Sequence, residues 1–281
     1  MINGLSKYNY KIYGSDINFS YKILKSKNII KLKFDLLKNN IPNKFNNIDI
    51  FIHNAALTKS LKITDTNKFV DCNIRLTENA LKIAKKNHCK CFFLISSTSV
   101  YRNFKSEKYN ERSPILGNDP YSKSKIICER ICKEFCNKNK IKYSILRIGN
   151  IYNGIEKKKW SRNNVSIFQQ WLNSSKRNIV LKTNSFETLR DWTYAKDIPK
   201  AINSIINNNN NFKILNLVSP FLIKDNDLMK KINPNQKFIE LDHKGIKNNA
   251  TISIYKNKLA FNNWTSPQRG INLIKKLDEK N

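Results

Sequence analysis

Short apolar runs alternate with amphipathic stretches along the first half of this 281-residue chain. Five runs are rich in β-branched or aromatic residues and predict strands: YKIYGSD (10–16), IIKLKFD (29–35), IDIFIHNAA (48–56), CFFLISS (91–97) and KYSILRI (142–148). Between them, CNIRLTENALKIAKKN (72–87) and YSKSKIICERICKEFC (121–136) have helical periodicity. Several strands are almost continuously apolar, which is typical of strands covered on both faces. The alternation predicts an α/β fold with a mostly parallel sheet.

The second half of the chain, after about residue 152, is shorter and more irregular in pattern. The segments 163–176 and 194–207 predict helices, and FKILNLV (212–218) predicts another strand. We expect Asp197 to act as the N-cap of the helix that contains Pro199, and Pro267 to open a last helix. This half has the character of a region that shapes a binding site on top of the sheet.

The chain is strongly basic, with 52 Lys and Arg against 21 Asp and Glu and a formal net charge of +31. Such a charge can indicate a nucleic-acid or membrane-surface partner. The lysines are scattered, however, and no helix-turn-helix, zinc or basic-aromatic pattern accompanies them, so biased composition is the preferred interpretation. Six cysteines without a C-x-x-C pair predict no metal site. We expect a cytoplasmic protein with no membrane contact.

Chemically suggestive residues follow the predicted strands. Asp16 and Asp35 end the first two strands, Ala55 and Ala56 end the third, and Ser97 ends the fourth. Parallel α/β sheets bind their ligands beyond the carboxyl ends of the strands. These residues therefore predict a ligand site at that edge of the sheet.

Tyr121 and Lys125 open the helix after Ser97, with Asp119 as its expected cap and Pro120 in its first turn. Residues four positions apart share one helix face. A free tyrosine has a pKa of about 10, and bringing it near 7 needs roughly 4 kcal/mol of preferential stabilisation of the phenolate. A neighbouring ammonium has the required sign. The pair could therefore move a proton to or from a substrate alcohol.

Five segments in order resemble motifs of the extended short-chain dehydrogenase/reductase family, the NAD-dependent epimerases and dehydratases that act mainly on nucleotide sugars. DIFIHNAA resembles D-x-V-I-H-x-A-A, and FFLISSTSVY resembles S-S-x-x-V-Y-G. YNERSPILGNDPYSKSK resembles E-x-x-P…P-Y-x-x-S-K. LRIGNIYN resembles L-R-x-x-N-V-Y-G, and LRDWTYAKDIPKAI resembles R-D-x-x-x-V-x-D-x-A-x-A. The resemblance covers residues 10–216 and implies a Rossmann-like fold.

The resemblance also implies the catalytic residues. It makes Tyr121 the acid/base, Lys125 the cation that tunes it and holds the nicotinamide ribose, and Ser97 the third member of the triad. Thr98 is the nearest alternative to Ser97, and either could instead be an ordinary turn residue at the strand end. Read one at a time, these positions have structural explanations. Because the five motifs occur together in the family's order, the functional explanation is favoured, most clearly for Tyr121 and Lys125.

The remaining implied contacts concern NAD and the substrate. Those to NAD are at Asp16, Asp35, Asn54, Ala55, Ala56 and Asn73, besides Tyr121 and Lys125. Asp16 favours NAD over NADP, because a carboxylate pairs with the ribose hydroxyls and repels a 2′-phosphate. Asn150 and Arg190 would contact the nucleotide sugar, Arg190 through its phosphates. Asp16 and Asp35 could alternatively cap loops, and Arg190 could be a surface cation.

The chain departs from the family at its start. The family begins with a strand and a G-x-x-G-x-x-G turn that binds the pyrophosphate at a helix N-terminus. MINGLSKYNYKIYGSD contains only Gly4 and Gly14, and neither precedes a helix in the required way. We therefore expect a sheet without the first βα unit, an N-terminally truncated family member, and impaired NAD binding. Residues 1–152 would form the NAD-binding domain and 153–281 mainly the substrate region, with about 192–218 returning to the first domain.

The motifs leave the reaction open. Epimerases, dehydratases and reductases share them, but Thr98 and Ser99 stand where dehydratases often carry an acidic pair, which argues against simple dehydration. We therefore favour a nucleotide-sugar epimerase. A catalytically degenerate binding or regulatory protein is the alternative, and a basic nucleic-acid-binding protein is a third. The family habit implies a homodimer through the helices at 72–87 and 121–136.

Overall fold

The computed structural model describes residues 1–19, 26–38, 47–58, 65–101, 108–158, 164–209, 212–242 and 248–279. The helices in this part of the chain are α1 (Ile2–Leu5), α2 (Thr66–Lys86), α3 (Pro120–Lys138), α4 (Ile167–Lys176), α5 (Asp197–Asn207), α6 (Asp225–Ile232) and α7 (Pro267–Asp278), with a 3-10 turn at Thr98–Tyr101. None of these helices is both long enough and apolar enough to cross a lipid bilayer.

The strands of the described residues, in chain order, are β1 (Ile12–Asp16), β2 (Ile29–Lys33), β3 (Ile50–His53), β4 (Cys91–Ser97), β5 (Lys142–Ile148), β6 (Ile151–Tyr152), β7 (Leu181–Thr183), β8 (Leu189–Arg190), β9 (Thr193–Tyr194), β10 (Ile214–Leu217), β11 (Ile223–Lys224), β12 (Phe238–Glu240) and β13 (Asn248–Asn249). The central sheet is wholly parallel, in the order β10-β5-β4-β3. β1 and β2 form a separate parallel pair. The prediction of an α/β fold with a mostly parallel sheet is confirmed.

The start of the described chain contains α1 and then β1. No described strand precedes Ile12, and none pairs with both β1 and β3. The first strand and glycine-rich turn of the family are thus not among the described residues.

Both faces of the central sheet are covered by helices, which explains its apolar strands. Phe92 and Leu94 of β4 pack with α2 and α3, where Ala80 and Cys132 are fully buried. Phe93 and Ile95 point to the other face and pack with α5. Alternate residues of one strand therefore serve two separate cores.

Two helix starts illustrate local control by capping residues. α3 begins as predicted, with Pro120 at its first position and the Asp119 carboxylate accepting the backbone N–H groups of Tyr121 and Ser122. α2 begins at Thr66, six residues before the predicted start, because the Asp65 side chain accepts the N–H groups of two residues in its first turn. Lys85 and Lys86 in its last turn complement the helix dipole.

The prediction that Asp197 caps α5 is wrong. The helix begins at Asp197 itself, Lys196 occupies the cap position, and no side chain caps the helix. The Asp197 carboxylate is fully buried and accepts the backbone N–H and the hydroxyl of Thr265 at 2.7 and 3.0 Å. Lys200 completes its partners at 2.9 Å. Asp197 therefore ties α5 to the segment before α7, which opens at Pro267 as predicted.

The later elements form a third apolar cluster, which includes Tyr152, Trp171, Trp192 and Tyr194. α4, α6 and α7 contribute the surrounding apolar residues. β10 returns to the first half and pairs with β5, so Ile214–Leu217 belongs to the central sheet. The division into two domains stays a prediction.

Candidate active site

The carboxyl end of β4 is where the structure brings Lys125 and Tyr121 together. The Lys125 ammonium is buried and donates a hydrogen bond to the carbonyl oxygen of Ile95 at 2.9 Å, two residues before Ser97. The same ammonium lies 5.8 Å from the centre of the Tyr121 ring. Ser97 is half-buried, and its hydroxyl accepts the backbone N–H of Ser99 at 3.2 Å. Lys125 thus links α3 to the strand that ends at Ser97.

The first turn of α3 is fixed to the turn after β4. The Ser122 hydroxyl donates to the carbonyl oxygen of Ser99 at 3.0 Å and also contacts the Asp119 carboxylate. Tyr121 precedes Ser122 and is half-buried. The tyrosine that sequence analysis singled out therefore lies at the carboxyl edge of the sheet, beside the segment Ser97–Ser99.

The environment of Lys125 contains a buried histidine. Burial and, to a smaller extent, the Lys125 charge together lower the pKa of His53 to about 3, so His53 is neutral at ordinary pH. Its Nε2 atom lies 3.2 Å from the Thr77 hydroxyl. Neutral His53 packs on the ring of Phe92, with 6.2 Å between ring centres. His53 is therefore a packed, hydrogen-bonded histidine.

A buried ion pair lies one helical turn beyond Lys125. The Glu129 carboxylate accepts the Nε and Nη2 atoms of Arg147 at 2.9 and 2.6 Å, and the Ser96 hydroxyl at 2.6 Å. Arg147 also donates to the Tyr101 hydroxyl at 2.6 Å, and that hydroxyl donates to Asn216. The network joins α3 to β4, β5 and β10.

Asn73 has protein partners on every side of its amide. Its Oδ1 accepts the backbone N–H of Leu57 at 2.8 Å, and its Nδ2 donates to the Leu57 carbonyl oxygen and to the Ser124 hydroxyl at 3.1 and 3.0 Å. The Ser124 hydroxyl in turn donates to the carbonyl oxygen of Tyr121 at 2.7 Å. Asn73 therefore couples the loop after β3 to α3.

The other residues predicted to contact NAD lie at or just after the ends of β1, β2 and β3. Asp16 ends β1 and accepts the N–H of Asn18 at 3.1 Å, and Asp35 follows β2 and accepts the N–H of Leu37 at 2.9 Å. Each carboxylate therefore supports its own loop. The loop after β3 carries Asn54, Ala55 and Ala56, the first two exposed and the last half-buried.

Asn150 is bonded to a buried carboxylate. Its Nδ2 donates to Asp191 Oδ1 at 2.8 Å. Burial raises the pKa of Asp191 to about 6, against the lowering effect of the hydrogen bond from Asn150. Sequence analysis predicted Asn150 as a substrate residue but gave no role to Asp191.

Arg190 is bonded to a second buried carboxylate, that of Asp225. The Arg190 Nε atom lies 2.9 and 3.1 Å from the two oxygens of Asp225. The partners are 35 residues apart, and β11 brings them together by pairing antiparallel with β8. No sequence motif indicated this pair.

No cluster of three or more His, Cys, Asp or Glu side chains able to hold a metal occurs in the part of the chain that the structure describes.

Comparison with protein families gives a match over residues 14–217 to the family described as "NAD dependent epimerase/dehydratase family". A curated relative, the dTDP-D-glucose 4,6-dehydratase of Dictyostelium discoideum, is 28% identical over 235 residues. The alignment covers 78% of this chain and 53% of the relative, so the chain spans about half the length of that protein.

Solved structures share the fold. The UDP-N-acetylglucosamine 4-epimerase of Methanobrevibacter ruminantium, in complex with UDP-N-acetylmuramic acid, is similar with a TM-score of 0.83 and 19% identity, covering 100% of this chain and 94% of that one. The UDP-glucuronic acid 4-epimerase of Bacillus cereus, in complex with NAD, has a TM-score of 0.73 and 19% identity, covering 91% and 82%. These likenesses confirm the Rossmann-like fold class.

Proposed function

Since the chain belongs to the NAD dependent epimerase/dehydratase family, we propose that it binds NAD and a nucleotide sugar and uses Ser97, Tyr121 and Lys125 for proton transfer. The observation that carries the proposal is the buried Lys125 ammonium, fixed at 2.9 Å to the end of β4 and 5.8 Å from the Tyr121 ring. Burying an ammonium costs free energy unless it is hydrogen-bonded, and the bond from Lys125 to the end of β4 holds it beside the Tyr121 ring.

The side chains at the sheet edge fit two parts of NAD. Among the described residues, Asp16 and Asp35 each have one oxygen bonded to their own loop, and the second oxygen would accept adenosine hydroxyl or amino groups. Lys125 makes one described hydrogen bond from its three N–H donors, so it can also hold the nicotinamide ribose. Asn73 would act indirectly, by holding the loop that carries Asn54, Ala55 and Ala56. When bound, NAD would supply a reversible hydride acceptor.

In this proposal the chain's own residues move and position one proton. Tyr121 would take the proton from a sugar hydroxyl, and Lys125 would favour the charged state of the tyrosine oxygen. Ser97 would hold the same substrate oxygen through its hydroxyl. Asn150 and Arg190 would bind the nucleotide part, with the Arg190 guanidinium at the phosphates. These contacts would orient the sugar toward Tyr121.

We favour epimerisation over dehydration. Thr98 and Ser99 begin the turn after β4, and neither can supply the carboxyl groups that elimination of water would use as acid and base. The curated relative reported above is a dehydratase and both solved structures are epimerases. Overall similarity does not distinguish the two reactions, so the preference for epimerisation rests on the residue types at Thr98 and Ser99.

A binding or regulatory role without catalysis is the second candidate. The observation that favours it is the sequence around Gly4 and Gly14, which contains no glycine-rich turn for the pyrophosphate. A nucleic-acid role has only the net charge of +31 in its favour. We propose a homodimer that works without metal or membrane, in keeping with the family habit.

The test is to incubate the purified polypeptide with NAD in large excess and with UDP-glucose, UDP-glucuronate or dTDP-glucose in turn, and to identify products by NMR. A 4-epimer supports the favoured proposal, and a 4-keto-6-deoxy product would replace epimerisation with dehydration. If the protein binds a nucleotide sugar but forms no product at any NAD concentration, the non-catalytic role is the better explanation.

A further inference from the structure

The Arg190 side chain is held by one edge of its guanidinium group. Its Nε atom bonds both oxygens of Asp225, at 2.9 and 3.1 Å. The guanidinium also lies 5.7 Å from the centre of the Trp192 ring. A guanidinium carries five N–H donors, of which Nε has one. The described hydrogen bonds of Arg190 therefore use only Nε, and the outer edge of the guanidinium, away from Nε, carries one N–H from each Nη atom.

Asp225 is itself firmly placed. Its carboxylate is fully buried, whereas the Arg190 side chain is 14% exposed. The Thr183 hydroxyl lies 3.2 Å from Oδ2, and the Trp192 indole N–H lies 3.4 Å from Oδ1. Asp225 follows β11 directly, and Ile223 of that strand is paired with Arg190. The backbone pairing and two side chains therefore set the direction in which the carboxylate points.

In this pair the Asp225 carboxylate is buried and the Arg190 side chain is partly exposed. The part of this pair that a ligand can reach therefore belongs to Arg190. Two parallel N–H groups of a guanidinium match two phosphate oxygens, and this match depends on orientation.

We propose that Asp225 is a positioning residue that holds Arg190 with its outer edge directed at the phosphates of a nucleoside diphosphate. This inference deepens the proposed function and rests on its assignment of Arg190 to the substrate phosphates. Asp225 acts through Arg190 and does not touch the ligand.

Three roles for Asp225 predict different signs when the carboxylate is removed. A purely electrostatic role predicts tighter anion binding, because one negative charge is lost from the site. A purely structural role predicts lower stability with unchanged affinity of the folded protein. A positioning role predicts weaker binding, because Arg190 regains rotamer freedom that it must lose again on binding.

The experiment is calorimetric titration with UDP, and with uridine as the control ligand that has no phosphates. We expect Asp225→Asn to weaken UDP binding about tenfold and to leave uridine binding unchanged. In an Arg190→Gln background the same substitution should change UDP affinity less than about twofold, because the residue it positions is gone. Thermal unfolding checks that each variant is folded at the titration temperature.

Arg190→Lys provides a second variant that leaves Asp225 intact. Lysine keeps the charge but cannot bond Asp225 and present a two-pronged edge to phosphate at once. We expect it to bind UDP as weakly as Arg190→Gln does, and wild-type affinity would overturn the inference. If Arg190→Gln weakens UDP binding but Asp225→Asn leaves it unchanged or tighter, the inference fails and the proposed function stands. If the wild-type protein does not bind UDP, both fail.

Discussion

Removing only one partner of the buried Glu129–Arg147 ion pair should lower the free energy of unfolding by an unusually large amount. Arg147 is 1% exposed and Glu129 7%, and their closest atoms are 2.6 Å apart. In Glu129→Gln the arginine charge would stay buried without a carboxylate, and the new amide N–H group would face the Nη2 donor. Breaking a buried ion pair in this way costs about 3–5 kcal/mol, a substantial part of a typical total stability of about 5–15 kcal/mol.

Removing both charges should cost much less than the two single substitutions together. In Glu129→Leu/Arg147→Met no charge stays buried, and Tyr101 keeps Asn216 as its hydrogen-bond partner. Ser96 loses its acceptor, which costs about 1–3 kcal/mol. We therefore expect a double-mutant cycle with strong positive coupling between the two positions.

The assay is urea unfolding followed by circular dichroism, with the free energy of unfolding as the measured quantity. The exposed pair Lys90–Asp49, with 79% and 74% of the side chains accessible, is the matched control. Asp49→Asn should change stability little, because solvent screens this pair. A loss below about 1 kcal/mol in Glu129→Gln, or additive effects in the double variant, would refute the reasoning.

Three further outcomes are expected. Burial raises the pKa of Asp191 from 3.8 to about 6, so between these pH values the folded protein binds more protons than the unfolded chain, and the contribution of Asp191 to stability falls as the pH rises. The stability of Asp191→Asn relative to wild type, measured by urea unfolding, should therefore rise over the same pH interval. A difference that stays constant with pH would contradict this. Gly149→Ala should destabilise by about 1–3 kcal/mol, because an added Cβ would overlap the Asp191 carboxylate; Gly14→Ala meets only the flexible end of Ile2, at 2.6 Å, and should cost less. The 281-residue polypeptide by itself should bind NAD with a Kd of roughly 1 mM or weaker, because the segment around Gly4 and Gly14 supplies no glycine-rich turn for the pyrophosphate; a micromolar value by calorimetry would contradict this.

The central sheet could be predicted from the sequence because its strands are continuous apolar runs. β4 and β5 begin and end where the pattern places them, at 91–97 and 142–148. The start of α2 could not, because it depends on one Asp65 cap before a first turn with little apolar periodicity. Asp197 was assigned to the cap because Asp before Pro is a common helix start. Its actual partner, Thr265, is 68 residues away.

The candidate site could be predicted only where its residues share one helix or follow a strand. Tyr121 and Lys125 are four residues apart, so helical geometry alone brings them together. Asp225 and Arg190 meet through strand pairing, and Glu129 and Arg147 through packing of a helix on the sheet. Charged residues within apolar segments, as in KYSILRI, are the one sequence signal that could have indicated the second pair.

The most direct test of the account is the turnover of Tyr121→Phe against wild type, with NAD and the preferred nucleotide sugar both in excess. We expect the substitution to lower the turnover rate by on the order of 100-fold or more, while calorimetry shows unchanged UDP binding, because only the proton-transfer group is lost. Tyr143→Phe, at the amino end of β5, is the control that should keep wild-type turnover. Near-normal turnover in Tyr121→Phe would contradict the account, since a different group would then have to move the proton.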